Sequence, residues 1–196
     1  MIKKVFITNG GATSGKDSFA EALSKHVVTF KYSSIDLVKD MLEFAGIPKE
    51  PKTEEKRLLY SDTKDRLTKY DDIPFKDITS VVVDFKDDRI DTDVLLIDIR
   101  EPEEIKRAVE TFGAETILIR NPRAEKITSN HADRDVENYN YDYIIENDGS
   151  LDELNAVAKE FAEYVVRENG GLPPSACYVF DGNKSTLMFQ CNRMLR

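Results

Sequence analysis

Cysteine is nearly absent from this 196-residue chain: only Cys177 and Cys191 occur, both near the C-terminal end. Two thiols cannot build a disulfide framework and do not have the C-x-x-C spacing of a zinc site. They read as reduced thiols, with a single intrachain bridge as the minor alternative. Histidine is as scarce, and neither His26 nor His131 stands at metal-ligand spacing from another His or Cys. A cationic excess is missing too. Lys and Arg total 28 against 37 Asp and Glu, a formal charge of -9, so there is no broad electrostatic footprint for duplex nucleic acid, and any anionic ligand must be held by a local site. No apolar run reaches the length that crosses a bilayer, and Met1 to Lys4 lead into a strand without a signal-peptide core. The expectation is a cytoplasmic protein with neither nucleic acid nor membrane as partner. Internal repeats and low-complexity segments are also lacking.

At 40% hydrophobic and 33% charged residues, the chain has enough apolar material for one substantial core. Apolar runs of strand length alternate with segments of helical period, the sequence form of a parallel sheet covered by helices. The runs at 2–8, 27–31, 94–99, 116–119 and 143–146 predict five strands, mostly buried on both faces. Between them, Phe19, Ala22, Leu23 and Val27 make one helical stripe, and Ile35, Val38, Met41, Leu42 and Ala45 another, both expected to face the sheet. Ile78, Val81, Val82 and Phe85 are spaced i, i+3, i+4, i+7, which predicts a helix despite a Val-Val-Val triplet of strand propensity. Pro102, Glu103 and Glu104 suit a first helical turn; Ile105, Ala108, Val109 and Phe112 give that helix its face, and Gly113 its stop. Ser150 and Glu153 form a capping-box pattern ahead of Leu154, Val157, Ala158, Phe161, Ala162 and Val165, with Gly170 and Gly171 as the end. Beyond Pro173 and Pro174, two short runs around Asp181 to Ser185 read as a hairpin. This extension, 171–196, lies outside the alternating pattern, and covering a sheet edge, self-association and partial order are all open to it.

The chemistry is concentrated after the first strand. Gly10, Gly11, Ala12, Thr13, Ser14, Gly15 and Lys16 fit G-x-x-x-x-G-K between a strand and an amphipathic helix, the context in which that pattern is meaningful. Such a loop turns successive amide hydrogens toward a phosphate, while the helix adds its positive end and the lysine a full charge. The position after Lys16, where Ser or Thr is usual, holds Asp17, and Ser18 supplies the hydroxyl one residue later. The N-K-x-D signature of guanine-specific switches is absent.

Ser14-Gly15-Lys16-Asp17-Ser18 resembles the loop of adenylate-kinase-like enzymes. It is closest to the version in deoxynucleoside monophosphate kinases and animal-type phosphomevalonate kinases. Four further segments are similar to theirs in order: Ser34 to Asp40, Asp98 to Glu104, the pair of stretches Arg120 to Arg123 and His131 to Arg134, and Asp142 to Gly149. The resemblance spans roughly residues 1–167. It departs at Asp133 and Arg134, where those enzymes carry Ser-Glu, and in a short lid.

It implies a three-layer P-loop kinase sandwich over 1–170, with acceptor-binding helices near 33–88 and a lid near 120–138. It implies ATP and Mg²⁺ as cofactors and a small monophosphorylated acceptor as substrate. That acceptor is foremost a nucleoside or deoxynucleoside monophosphate. Phosphomevalonate or another small metabolite is the alternative, and a nucleotide-binding regulatory module is the rival from another class. In this reading residues 10–18 bind ATP, with Asn147 and Gly149 at the adenine. Lys16 holds the β and γ phosphates. Ser18 and Asp98 serve Mg²⁺, the latter through water. Asp98 also reads as an acceptor contact, a strand-end cap or an ion-pair partner of Arg100. Arg100 grips the acceptor phosphate, and Arg120, Arg123 and Arg134 belong to the closing lid. Asp36, Lys39, Arg57 and Arg66 lie on the acceptor side. Phe44, Tyr60, Tyr70 and Phe75 are aromatic residues that suit either a base or a core.

Overall fold

The first strand, β1 (Lys4–Asn9), is buried from Val5 to Asn9. A strand covered on both faces belongs in the middle of a parallel sheet. The computed structural model describes residues 3–123, 136, 138–163, 177–180 and 186–188. In it β1 runs parallel to β3 (Val94–Asp98) on one side and to β4 (Glu115–Arg120) on the other, with Phe6 level with Leu96 and Glu115. Beside β4 lies β5 (Tyr143–Glu146), again parallel. At the far edge β2 (Thr29–Ser33) neighbours β3, giving the order β2-β3-β1-β4-β5. All five expected strands are present and form a parallel α/β sheet. The tail contributes β6 (Cys177–Phe180), parallel to β5, and β7 (Thr186–Met188), antiparallel to β6. The expected hairpin therefore continues the sheet at its β5 edge.

Strand β1 leads through α1 (Lys16–Ser24) toward β2 on one side, and β4 leads toward β5 on the other. Neighbouring strands whose connections diverge leave a crevice at their C-terminal ends, where ligands collect. The glycine loop occupies that crevice. Packing fixes its far side. Helix α6 (Leu151–Phe161) lies along α1, and Phe161 meets Phe6, Phe19 and Tyr143 edge-on with ring centroids 5.3–5.7 Å apart. The α1 stripe is thus buried as predicted. The capping box of α6 is formed, with Ser150 accepting from the Glu153 amide and Glu153 accepting from that of Ser150. Helix α5 (Pro102–Phe112) buries Ile105, Ala108 and Phe112 and ends at Gly113, whose φ of 65° is left-handed. Val165, Gly170 and Gly171 lie outside the described residues.

The chain divides into two compact units, Tyr32–Asp91 and the remainder. The smaller is helical: α2 (Asp36–Phe44), α3 (Glu54–Asp71) and α4 (Ile73–Lys86) pack on one another. In α4, Ile78, Val82 and Phe85 are buried while Val83 is 45% exposed, so the helical spacing prevails over the propensity of the valine triplet. The α2 stripe departs from expectation. Only Val38 is buried, and Met41 and Ala45 are exposed, because this nine-residue helix has only its α3 and α4 neighbours to cover it within its unit.

Candidate active site

The site is built on the end of β1. Asn9 is fully buried, and its side-chain oxygen accepts the Gly10 amide at 2.7 Å. Its amide nitrogen donates to the Arg100 carbonyl at 3.1 Å and to the Tyr141 hydroxyl at 2.8 Å. The Tyr141 hydroxyl in turn donates to the Val136 carbonyl at 2.7 Å, and burial foremost pushes this phenol's pKa upward. One carboxamide thereby joins the start of the loop, the residues after β3 and the approach to β5.

From Gly10 the chain turns sharply. A Cβ on Gly10 would collide with the Ile119 carbonyl oxygen and the Ser14 hydroxyl. One on Gly15, where φ is 96°, would collide with the Asn147 amide. Both positions therefore require glycine. The Asn147 side chain donates to the Ser14 carbonyl at 2.9 Å, so the loop after β5 holds the phosphate loop directly. The Ser14 hydroxyl is buried and has no hydrogen-bond partner.

Lys16 opens α1 and folds its ammonium back onto the Gly10 carbonyl and, at 3.2 Å, that of Gly11. Its pKa is lowered to about 8, first by burial, then by the positive charge of Arg100; Lys31 acts in the same sense, against Asp98 and Asp17. A half-buried lysine whose charge is disfavoured by burial and by a neighbouring arginine gains from an anion placed beside it.

Asp98, at the end of β3, accepts the Thr8 hydroxyl and pairs with Lys31 at 2.9 Å. Lys31 also pairs with Asp17. Burial lowers the Lys31 pKa, but the two carboxylates, Asp98 foremost, outweigh it and leave the pKa raised. The misfit Asp17 is thus neutralised by a lysine on β2 that the sequence reading had not singled out. Ser18, in the first turn of α1, is half-buried.

The arginines separate. Arg120, the last residue of β4, lies level with Glu146 on β5 and donates to both carboxylate oxygens, Nε at 3.0 and 3.1 Å. Arg123 is exposed and borders a cavity of about 560 Å³ lined also by Asn147, Asp148, Gly149, Leu154 and Val157. Arg134 and His131 lie outside the described residues, as does most of the expected lid.

Within the helical unit, Asp36 accepts the Ser33 amide at 2.9 Å and pairs with Lys39 at 2.7 Å. Arg57 lies 3.8 Å from Glu54, and Arg66 borders a shallow groove along α3 with Asp62, Asp65, Lys69 and Tyr70. Tyr60 and Phe75 are buried, whereas Phe44 and Tyr70 are largely exposed. Sequence reasoning missed Lys64, buried on α3 with its ammonium 3.3 Å from the Ser34 hydroxyl. Its place four residues after Tyr60, on the buried side of α3, was the available signal. Among the described residues no group of three or more His, Cys, Asp or Glu stands close enough to cage a metal ion, and no helix is long and apolar enough to cross a membrane.

No family model and no curated protein matches the chain. Solved structures do. Shikimate kinase from Aquifex aeolicus vf5 is 14% identical over 85% of this chain and 99% of its own, with a TM-score of 0.45. A Thermus thermophilus protein is 18% identical over 84% and 99%, at 0.42. An unliganded sugar kinase from Janibacter sp. HTCC2649 is 12% identical over 94% and 87%, at 0.34.

Proposed function

We propose that this chain is a P-loop kinase that moves the γ-phosphoryl group of MgATP to the phosphate of a small monophosphorylated acceptor, foremost a nucleoside or deoxynucleoside monophosphate. The observation that carries the reading is the loop itself. Between two glycines that tolerate no Cβ, a buried hydroxyl is left without a partner, and a half-buried ammonium, depressed first by burial and then by Arg100, leans on the loop's own carbonyls. A phosphate supplies what each of these groups needs: acceptors for Ser14 and Lys16, and negative charge for the cluster of cations.

In this reading Lys16 and the loop amides hold the β and γ phosphates, and the cavity beside Asn147 and Gly149 takes the adenine. Phosphoryl transfer asks little covalent chemistry of a protein and much positioning and charge. Arg100, brought to the loop through Asn9, grips the acceptor phosphate, and Arg123 and Arg134 close over the transfer. Arg120 is tied to Glu146 and acts there by fixing the base of that segment. The Ser18 hydroxyl and the Asp98 carboxylate are hard oxygen donors of the kind Mg²⁺ takes alongside nucleotide phosphates. When bound, the ion neutralises phosphate charge. Asp36, Lys39, Arg57 and Arg66 remain acceptor-side assignments that rest on the family resemblance.

The test is a coupled assay of ADP release with ATP, Mg²⁺ and a panel of nucleoside monophosphates plus phosphomevalonate. We expect release that depends on one member of the panel. ATP binding with no acceptor-dependent ADP from any of them would support the regulatory-module reading instead.

A further inference from the structure

Two carboxylates beside the phosphate loop share one ammonium. Asp17 is the second residue of α1, adjoining the lysine assigned to the β and γ phosphates, and its side chain is 84% exposed; Asp98 ends β3 and is 14% exposed. Lys31 reaches both from β2, and the Thr8 hydroxyl takes the remaining oxygen of Asp98. Left alone, Asp17 would add a negative charge at the place where a triphosphate must lie. Its partner is a lysine only 28% exposed, held against a second carboxylate that is nearly buried, so the pair is more restrained than an ordinary surface contact.

Resting on the kinase reading above, we propose that Lys31 is a positioning residue: it binds Asp17 and Asp98 into one cluster of single net negative charge, turns Asp17 away from the nucleotide phosphates and fixes Asp98 at the strand end. In this chain Ser14-Gly15-Lys16-Asp17 then works as a phosphate loop because Lys31 accompanies it. The same clamp gives the cluster its geometry before nucleotide arrives, so that Asp98 is presented to the site by Lys31 and Thr8 together.

Calorimetric titration of the full chain with MgATP tests this. Lys31→Met should weaken binding about tenfold, Lys31→Arg should keep most of the affinity, and adding Asp17→Asn to Lys31→Met should recover most of the loss, since the site is then back at the single negative charge of the parent. Asp17→Asn alone, which does not depend on the folding of the Lys31 variants, should tighten binding roughly threefold by taking the cluster from a single negative charge to neutrality. A Lys31→Met protein that binds as tightly as the parent overturns the clamp, as does a double variant no better than Lys31→Met, or an Asp17→Asn protein that binds more weakly. Absence of MgATP binding by the unsubstituted chain overturns the kinase reading itself and the clamp with it.

Discussion

Lys16 stands where burial and the charge of Arg100 both work against its proton, and its ammonium rests on two loop carbonyls that a bound phosphate would replace. Lys16→Ala removes the only positive charge of residues 10–18 while leaving a good helix former at the first position of α1. Turnover should fall by about a hundredfold or more with the thermal midpoint little changed, which steady-state kinetics and a melting curve check together. Tyr141 makes a contrasting case. Its hydroxyl joins Asn9 to the Val136 carbonyl in a buried chain, so Tyr141→Phe should cost about 1–3 kcal/mol in denaturant unfolding by leaving those groups short of a partner. Lys16 and its glycines were legible in the sequence because the loop is local and its spacing is diagnostic. Asn9, Lys31 and Tyr141 were not, since their roles come from partners brought near by the sheet: Arg100 and Tyr141 for Asn9, Asp98 for Lys31. Asp17 was noticed as a misfit, but its neutralising partner lies on another strand.

Helix α6 shows how an element with no direct part in the chemistry positions the site. Its capping box fixes the turn after Asn147, and its buried face locks α1 through Phe161. Ser150→Ala should cost about 1 kcal/mol at neutral pH. Hydrogen bonds from Ser150 hold the Glu153 pKa below its usual value, so the Glu153 half of the box contributes above the ordinary carboxylate range and is lost as pH falls through that depressed pKa. The stability gap between the parent and Glu153→Gln should therefore narrow in acid; melting curves at neutral pH and near pH ~3 measure it, and a gap unchanged between the two contradicts the assignment. The strands were legible because buried parallel strands are continuous apolar runs, and α4 was legible because spacing outweighed propensity. The stripe of α2 misled, since an apolar period says which side of a helix is greasy and not how much of it a neighbour covers. Helix α3 offered no such period: of its 18 residues only Tyr60 and Lys64 are buried.

At the scale of the molecule, the chain carries a net charge of -9, and the charges acting on Lys16 are two cations, Arg100 and Lys31, and two carboxylates, Asp98 and Asp17. A chain of this net charge has no broad attraction for polyanions, so an anionic ligand has to be held by local groups such as Lys16. The parallel sheet was readable from alternation, and the place of the loop between β1 and α1 from the chain itself, whereas the crevice depends on the strand order that only the fold supplies. No linker composition marks the division at Tyr32 and Asp91. The central claim is that the γ-phosphoryl group ends on another phosphate. Phosphorus NMR of the full chain with MgATP and the acceptor that releases ADP follows that atom directly. The account predicts a new phosphoanhydride resonance on the acceptor growing in step with ADP and abolished by Lys16→Ala; growth of orthophosphate alone, or no consumption of ATP with any acceptor, would contradict it.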